Sequence, residues 1–388
     1  MTDAATPPPE NPPAADPPAR PSGRGLASRS EIAAEALGVA VAARVPVLLW
    51  GAPGTGKTSA LRAMAEARGW PCEVVIASIR EPSDFAGLPV VVEGGVRFAP
   101  PTWARRLAAA GHGLLFLDEL STAPPAVQAA LLRVVLERVV GDLELPEAVA
   151  VVAAANPPDQ AADGWDLSPP LANRFCHLDW DIDPRTFARG LAAGFPPPLV
   201  PDLPAGWEAR LPVTNGLVSA FALIRPQLVC APPTDRSAAG RGWPSPRSWE
   251  MAARLHTAAS AAGASADAVS DLVRGAVGDG PGVEFLTWVE EMDLPDPEAV
   301  LADPTGYTMP ERGDRAYAVL SSVAGAVAAD PTPERWSAGW KVVVRAAEGA
   351  PDVAATAARV LAGCRPPGAS PPPEIRTFLP ILRDAGML

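Results

Sequence analysis

The chain has 388 residues and is 48% hydrophobic, so it can bury a sizeable core divided over two or three domains. Its formal net charge of −12 argues against a surface that coats nucleic acid, and protein partners are therefore expected first. Its four cysteines have neither CxxC nor metal-ligand spacing, which favours reduced thiols and a cytoplasmic location.

The N-terminal segment, residues 1–28, is rich in proline, alanine and glycine and contains almost no large apolar side chains. Such a segment cannot bury enough apolar surface to offset the entropy lost on ordering, so a disordered tail is predicted. The next apolar stretch, Ile32 to Trp50, is interrupted by Glu35 and Arg44. No membrane-spanning segment is expected.

Residues 29–190 alternate between helical periodicity and short apolar runs, which is typical of a parallel α/β sheet. The predicted strands are Val45 to Trp50, Glu73 to Ala77, Leu114 to Leu117, Ala148 to Ala155 and His177 to Ile182. The predicted helices are Ser30 to Val41, Ser59 to Arg68, Pro101 to Ala110, Pro125 to Val139 and Pro170 to Arg174. Two β-prone runs between Leu88 and Phe98, on either side of Glu93-Gly94-Gly95, predict a hairpin.

A phosphate-binding loop is predicted where the first strand gives way to a helix. The sequence fits G-x-x-x-x-G-K-[ST] at every fixed position, so that backbone N–H groups and the helix N-terminus can surround a phosphate. Lys57 would reach the terminal phosphates, and Thr58 would offer a hydroxyl to magnesium. The alternative is a chance glycine-rich turn. The residues predicted to bind the nucleotide are Gly51, Ala52, Pro53, Gly54, Thr55, Gly56, Lys57, Thr58, Ser59 and Asp118.

Two adjacent carboxylates, Asp118 and Glu119, follow the fully apolar strand at Leu114 to Leu117. Asp118 can hold Mg²⁺ directly or through water, and Glu119 can orient and activate the attacking water. The pair would otherwise be a strand that ends in solvent-facing acids. We expect Asp118 to bind the metal together with Thr58, and Glu119 to be catalytic.

Asn156 ends the next apolar strand and precedes Pro157. A neutral amide beside the γ-phosphate can position water without titrating, so Asn156 is a candidate phosphate sensor. The alternative is a turn residue before the proline.

Arg174 lies just before the last predicted strand, in Leu171-Ala172-Asn173-Arg174-Phe175. An arginine there is expected at the edge of the subunit, too far from its own phosphates but able to reach those of a neighbour. This is the arginine-finger role, in which a guanidinium spreads positive charge over the transferring phosphoryl group. The alternative is a surface salt bridge.

Beyond residue 190 the strand patterns fade, and proline-rich connections separate stretches with helical spacing. We expect an all-α lid over residues 191–292 and a helical extension over residues 293–388, the last helix running from Pro373 to Ala385. In the lid, Ser245-Pro246-Arg247 predicts a helix start with Ser245 as N-cap and Pro246 at the first helical position. Arg247 could then swing onto a phosphate and couple the lid to the nucleotide, or it is simply an exposed arginine.

Taken in this order, the phosphate loop, the acidic pair, Asn156, Arg174 and Ser245-Pro246-Arg247 make the chain resemble the AAA+ ATPases over residues 30–265. It looks most like the MoxR-type group. That narrower resemblance depends on Pro82 to Gly87 with the hairpin after it, on Gln128 to Leu132, and on Ser-Pro-Arg in the lid. The departures are the proline-rich insertion from Ala231 to Pro246 and the helices after the lid.

The resemblance implies a P-loop AAA+ core with a five-stranded parallel sheet, Mg-ATP as the ligand, and a homo-oligomeric ring, usually a hexamer, in which Arg174 acts in trans. It also implies chaperone-like remodelling, often with a partner that carries a von Willebrand factor A domain. The hairpin around Glu93-Gly94-Gly95 would face the pore or this partner.

The leading hypothesis is a Mg-ATP hydrolase that remodels a protein. The alternative is a nucleotide-gated assembly scaffold or signalling switch with slow turnover, which need not keep the hydrolytic Glu119. A nucleic-acid motor is disfavoured, because the chain is acidic and lacks a stripe of interleaved basic and aromatic residues.

Overall fold

The computed structural model describes residues 27–157, 166–349, 351–370 and 373–380. The predicted tail lies outside the described residues up to residue 26, whereas Ser28 caps the first helix through a capping box with Glu31.

Strands are concentrated in the first half of the chain. They are β1 (Val47–Trp50), β2 (Cys72–Ile76), β3 (Leu88–Val92), β4 (Gly95–Ala99), β5 (Gly113–Asp118), β6 (Val139–Val140), β7 (Leu143–Glu144), β8 (Val149–Ala155) and β9 (Cys176–Asp179). The helices up to the last strand are α1 (Arg29–Ala42), α2 (Lys57–Ala67), α3 (Ser83–Ala86), α4 (Thr102–Ala110), α5 (Pro125–Glu137) and α6 (Pro169–Ala172). The later helices are α7 (Pro184–Ala193), α8 (Leu211–Ile224), α9 (Arg236–Ala239), α10 (Pro246–Ala262), α11 (Ala266–Val277), α12 (Asp279–Met292), α13 (Pro297–Ala302), α14 (Gly313–Ala329), α15 (Pro333–Ala347) and α16 (Pro351–Gly363).

The central sheet is five-stranded and parallel, in the order β2-β5-β8-β1-β9. This confirms the predicted fold class. The strands contain continuous apolar runs because both faces of the sheet are covered, and all seven residues of β8 are buried.

Each face of the sheet packs into a separate core, so the domain has three layers. Val47 and Leu49 of β1 point into a core with α1, α2 and the lid helices α8 and α10–α12. Leu48 and Trp50 point the other way, into a core with α4 and α5. The alternation of successive strand residues between the two faces produces this division.

Strands β3 and β4 form the predicted hairpin, with Val91 opposite Val96. Its apolar side chains are exposed, Val91 at 85% and Val96 at 59%. A second, very short ribbon, β6–β7, was not predicted.

The last four helices, α13–α16, have a core of their own around Trp336 and Trp340. This extension joins the lid where α14 packs against α8. Gly325 permits the close approach, because a Cβ there would lie 2.8 Å from the Pro212 carbonyl carbon. The lid and the extension are therefore in firm contact.

The helical half differs from the prediction in several places. Helices α7, α9 and α13 were not predicted. The helical spacing in the sequence predicts a helix from Gly216 to Ile224, and the corresponding helix α8 begins five residues earlier, at Leu211. The last predicted helix is a 3₁₀ helix over Pro373–Phe378, and its predicted end lies outside the described residues. The proposed domain boundaries stay predictions, and α7 crosses the one at residue 190.

Among the described residues, no helix combines the length and the hydropathy that crossing a membrane requires.

Candidate functional site

The site lies at the carboxyl edge of the sheet, where three neighbouring strands end. β1 leads into the predicted phosphate loop, β5 ends at Asp118, and β8 ends one residue before Asn156. Since β5, β8 and β1 are adjacent and parallel, their carboxyl ends bring these residues together.

The loop after β1 has the backbone shape of a phosphate cradle. Gly54 and Gly56 adopt φ values of +81° and +82°, which L side chains rarely adopt. Gly56 is the N-cap of α2 and supplies no side-chain hydrogen bond, so first-turn N–H groups of α2 are free for an anion.

Lys57 is the cation of this loop, and it is only 8% exposed. Its Nζ donates to the Gly51 carbonyl at 2.6 Å, to the Ala52 carbonyl at 3.0 Å and to Asn156 Oδ1 at 3.4 Å. Burial lowers the pKa of Lys57, and the charge of Asp118 partly opposes that shift. Among the described residues no carboxylate forms a salt bridge with this ammonium, so a phosphate group would supply the missing counter-charge.

Thr58 and Asp118 are the oxygen donors beside Lys57. Thr58 Oγ1 donates to Asp118 Oδ2 at 3.0 Å, while Asp118 Oδ1 accepts from the Glu119 N–H at 3.0 Å. A hydroxyl and a carboxylate side by side fit Mg²⁺, which binds few protein oxygens and completes its octahedron with water and phosphate.

Glu119 has an unusual backbone for a non-glycine residue, with φ +56° in the left-handed region. This conformation costs about 1–2 kcal/mol, and it projects the carboxylate away from the buried strand to an exposed position. The carboxylate accepts a hydrogen bond from Ser78 Oγ, just beyond β2. The sequence analysis did not single out Ser78, although it directly follows the strand predicted from Glu73 to Ala77.

Asn156 is held by both its backbone and its side chain. Its N–H donates to Ser121 Oγ at 3.3 Å, and its Oδ1 accepts from Lys57. The amide therefore lies in contact with the cation of the loop, where the predicted phosphate sensor would be placed.

Arg174 lies at the other edge of the sheet. Cys176, which begins β9, is in register with Val47 at the start of β1, whereas the phosphate loop follows the end of β1. The Arg174 guanidinium donates to the Pro170 carbonyl, and its buried Nε has no hydrogen-bond partner. Within the described chain, no hydrogen bond joins Arg174 or Arg247 to the phosphate loop.

Arg174 and Arg247 are instead brought close to each other. Ser245 is the N-cap of α10 and Pro246 its first residue, as predicted. The Ser245 hydroxyl donates to Asn173 Oδ1 at 2.6 Å, so the two arginine-bearing segments touch. Burial lowers the pKa of Arg174, and the positive charge of Arg247 lowers it further.

His177 of β9 links the two edges of the domain. Its Nδ1 accepts from Trp50 Nε1 at 2.8 Å, and its Nε2 donates to the Ala172 carbonyl at 2.9 Å, which fixes the neutral tautomer. Burial is the main cause that lowers the pKa of His177 to about 4. Both ring nitrogens of His177 are thus engaged in holding the fold.

One comparison with known protein families matches the part of the chain that contains this arrangement. Residues 46–175, from β1 through α6, match the family model of the AAA domain (dynein-related subfamily). A search of curated protein sequences finds no significant match.

Two solved structures resemble the chain. One is a predicted ATPase from Cytophaga hutchinsonii, at 15% identity, TM-score 0.37, 63% of this chain and 82% of that one. The other is a full-length MCM homologue from Methanopyrus kandleri, at 18% identity, TM-score 0.36, 67% of this chain and 54% of that one.

Proposed function

We propose that the chain, through its AAA domain, is a Mg-ATP hydrolase of the MoxR type that assembles into a ring and remodels a protein partner. The observation that carries this proposal is the contact of Lys57 with Asn156 beside the Thr58–Asp118 pair. A cation, a neutral amide and a set of oxygen donors meet at the end of a glycine-rich loop, which is the chemistry that a nucleoside triphosphate needs.

Each residue of the site has a separate role in the proposed hydrolysis. The α2 N-terminus and Lys57 bind the phosphates, and Asn156 orients the attacking water beside the γ-phosphate. Glu119 accepts a proton from that water as the water oxygen bonds to the γ-phosphorus and the bond from this phosphorus to the leaving oxygen of ADP breaks. Thr58 and Asp118 would hold Mg²⁺, which would neutralise negative charge on the phosphates when bound.

The distance between the two arginines and the phosphate loop of the same subunit supports assembly into a ring. Arg174 and Arg247 lie near the amino edge of the sheet, and the phosphate loop lies at its carboxyl edge. An arginine finger must touch the γ-phosphate, so these arginines would serve a neighbour's ATP, most simply within a hexamer closed by heterologous contacts.

The exposed hairpin β3–β4 favours the hypothesis that the chain binds a protein partner. Its strands bury no residue of their own, and six apolar side chains are between 43% and 85% exposed. Exposed apolar surface of this kind marks an interaction site. The class of partner we propose is a protein with a von Willebrand factor A domain.

A cytoplasmic location is also part of the proposal, and the free cysteines support it.

The test replaces Glu119 with Gln. We expect ATP binding to remain and hydrolysis to fall by about 10²–10⁴-fold, the range for loss of a general base. ATP retained per subunit after gel filtration and phosphate release at steady state measure the two effects. If hydrolysis continues at the original rate, the catalytic assignment is wrong.

A nucleotide-gated switch with slow turnover is the second candidate, because Ser78 holds the Glu119 carboxylate in a hydrogen bond. The two candidates differ in wild-type turnover with and without a protein partner. A remodeler would speed up when the partner is added, whereas a switch would stay slow.

A further inference from the structure

We propose that Asn173 is a positioning residue, whose amide fastens the segment that carries Arg174 to the start of lid helix α10 and so fixes the spacing of Arg174 and Arg247. The inference rests on the proposed function, because that spacing matters only if both arginines act on a neighbour's ATP.

Asn173 joins two segments that are distant in sequence. Its side chain is 3% exposed, its Nδ2 donates to the Trp243 carbonyl at 2.8 Å, and its Oδ1 accepts from the Ser245 hydroxyl at 2.6 Å. Since a carbonyl can only accept, the contact with Trp243 fixes which amide atom faces which partner. Both polar atoms of the amide are therefore engaged.

The lid side of this contact is itself a closed hydrogen-bond network. Ser248 is fully buried, its Oγ donates to the same Trp243 carbonyl at 2.8 Å, and it accepts from the Ser245 N–H at 2.8 Å. Ser245 Oγ in turn accepts from the Ser248 N–H at 3.1 Å. A buried network in which each member is satisfied is rigid, so Asn173 is attached to a fixed point of the lid.

The two arginines need this attachment because nothing of opposite charge holds them. Arg174 directly follows Asn173, and Arg247 follows Ser245 by two residues. Within the described part of the chain neither guanidinium has a carboxylate partner, and Arg174 Nε is buried without a hydrogen bond. Two like charges repel, so the spacing of the two guanidinium groups depends on the hydrogen bonds of the Asn173 side-chain amide.

Replacement of Asn173 by Ala should release this spacing. A misplacement of about 1 Å in a catalytic group costs on the order of 100-fold, so we expect kcat for ATP hydrolysis to fall by about that factor. The affinity for ATP and the KM should stay within about threefold, because the phosphate loop lies at the opposite edge of the sheet.

A matched control is Thr257→Val. It removes the buried Thr257 hydroxyl, which hydrogen-bonds with Thr214 Oγ1 at 2.7 Å and with the Ala253 carbonyl at 2.8 Å. Thr257 lies ten residues after Arg247 on α10, about 15 Å along the helix. The control should lower the melting temperature much as Asn173→Ala does while it leaves kcat unchanged.

Mixed rings separate a positioning role from a general folding defect. Subunits with Lys57→Ala lack a working phosphate loop but retain their arginines, whereas Asn173→Ala subunits retain the loop. In a 1:1 mixture about one interface in four pairs the intact halves, so activity should recover to about a quarter of the wild-type rate. A mixture of Asn173→Ala with Arg174→Ala should not recover, because both lesions lie on the same half.

The outcomes distinguish the two proposals. Recovery with Lys57→Ala for both Arg174→Ala and Asn173→Ala supports both. Recovery for Arg174→Ala alone, or a wild-type kcat for Asn173→Ala, overturns the positioning role. If Arg174→Ala rings are not rescued, the trans action in the proposed function fails.

Discussion

Acidification should weaken the domain through His177. The imidazole is neutral in the fold because burial lowers its pKa to about 4, below the value of about 6.5 for an unfolded chain. The neutral form accepts from Trp50 and donates to Ala172, whereas a protonated ring could not accept.

The sign and size follow from linkage. A group whose folded pKa is lowered contributes stability that is complete above pH 6.5 and is lost as the pH falls toward 4. With these two pKa values, the free energy of unfolding should drop by about 2 kcal/mol at pH 5 and about 3 kcal/mol at pH 4.

The assay is denaturant unfolding followed by circular dichroism at pH 7, 6, 5 and 4, for the wild type and for His177→Gln, whose amide does not titrate. The difference in the free energy of unfolding between the wild type and His177→Gln should shrink by these amounts as the pH falls, because all other groups titrate in both proteins. The chain has three histidines, so imidazole proton resonances can report the folded pKa directly even if the variant is unstable. Parallel pH profiles, or a resonance that titrates near 6.5, would refute the reasoning.

Three further predictions concern the site and its surroundings. Ser78→Ala should free the Glu119 carboxylate from its hydrogen bond. Because one hydrogen bond to a charged group is lost, we expect kcat to rise by about tenfold in a phosphate-release assay. An unchanged or lower kcat contradicts this prediction. Thr58→Ala should raise the Mg²⁺ concentration needed for half-maximal hydrolysis, and a Mg²⁺ titration that superimposes on that of the wild type excludes the metal role. Val91→Ser with Val96→Ser should change the free energy of unfolding by no more than about 1 kcal/mol and leave basal hydrolysis unchanged, because both side chains are exposed. The same pair should reduce the protein partner recovered with Glu119→Gln rings, and equal recovery argues against the hairpin as a docking surface.

The sequence predicted the sheet well because its strands are buried on both faces and therefore contain unbroken apolar runs. The phosphate loop and the acidic pair were predictable because their chemistry requires particular residues at fixed spacing. Helix α7 was not predicted, although Asp183 as N-cap and Pro184 at the first position mark a helix start; Gly190 is its only buried residue, so the helix adds no apolar side chain to a core. The β6–β7 ribbon, with two residues in each strand, is too short to produce a period.

The contacts that sequence could not predict are those between distant segments. Asn173 and Ser245 are 72 residues apart, and neither stands out by residue type from other turn and cap residues. Ser78 and Glu119 meet only because β2 is the neighbour of β5, and strand order is a property of the folded chain.

The carboxyl end of strand β9 is closely attached to the phosphate loop. At its carboxyl end, Trp180 N–H donates to the Trp50 carbonyl at 2.6 Å, and its indole donates to the Thr55 carbonyl at 3.3 Å, so the strand grips the phosphate loop. A Cβ on Gly51 would lie 2.5 Å from the Trp180 carbonyl oxygen, so the loop and the chain at Trp180 are in close contact.

At its amino end the same four-residue strand adjoins the Arg174 segment. Four residues of strand extend about 13 Å, so in the proposed ring β9 would be a short, stiff connection between a subunit's own ATP and the arginines that reach the next subunit. If the proposed function holds, a tilt of β9 on loss of ATP would move those arginines, and the change would pass from one subunit's site to the next in one direction around the ring.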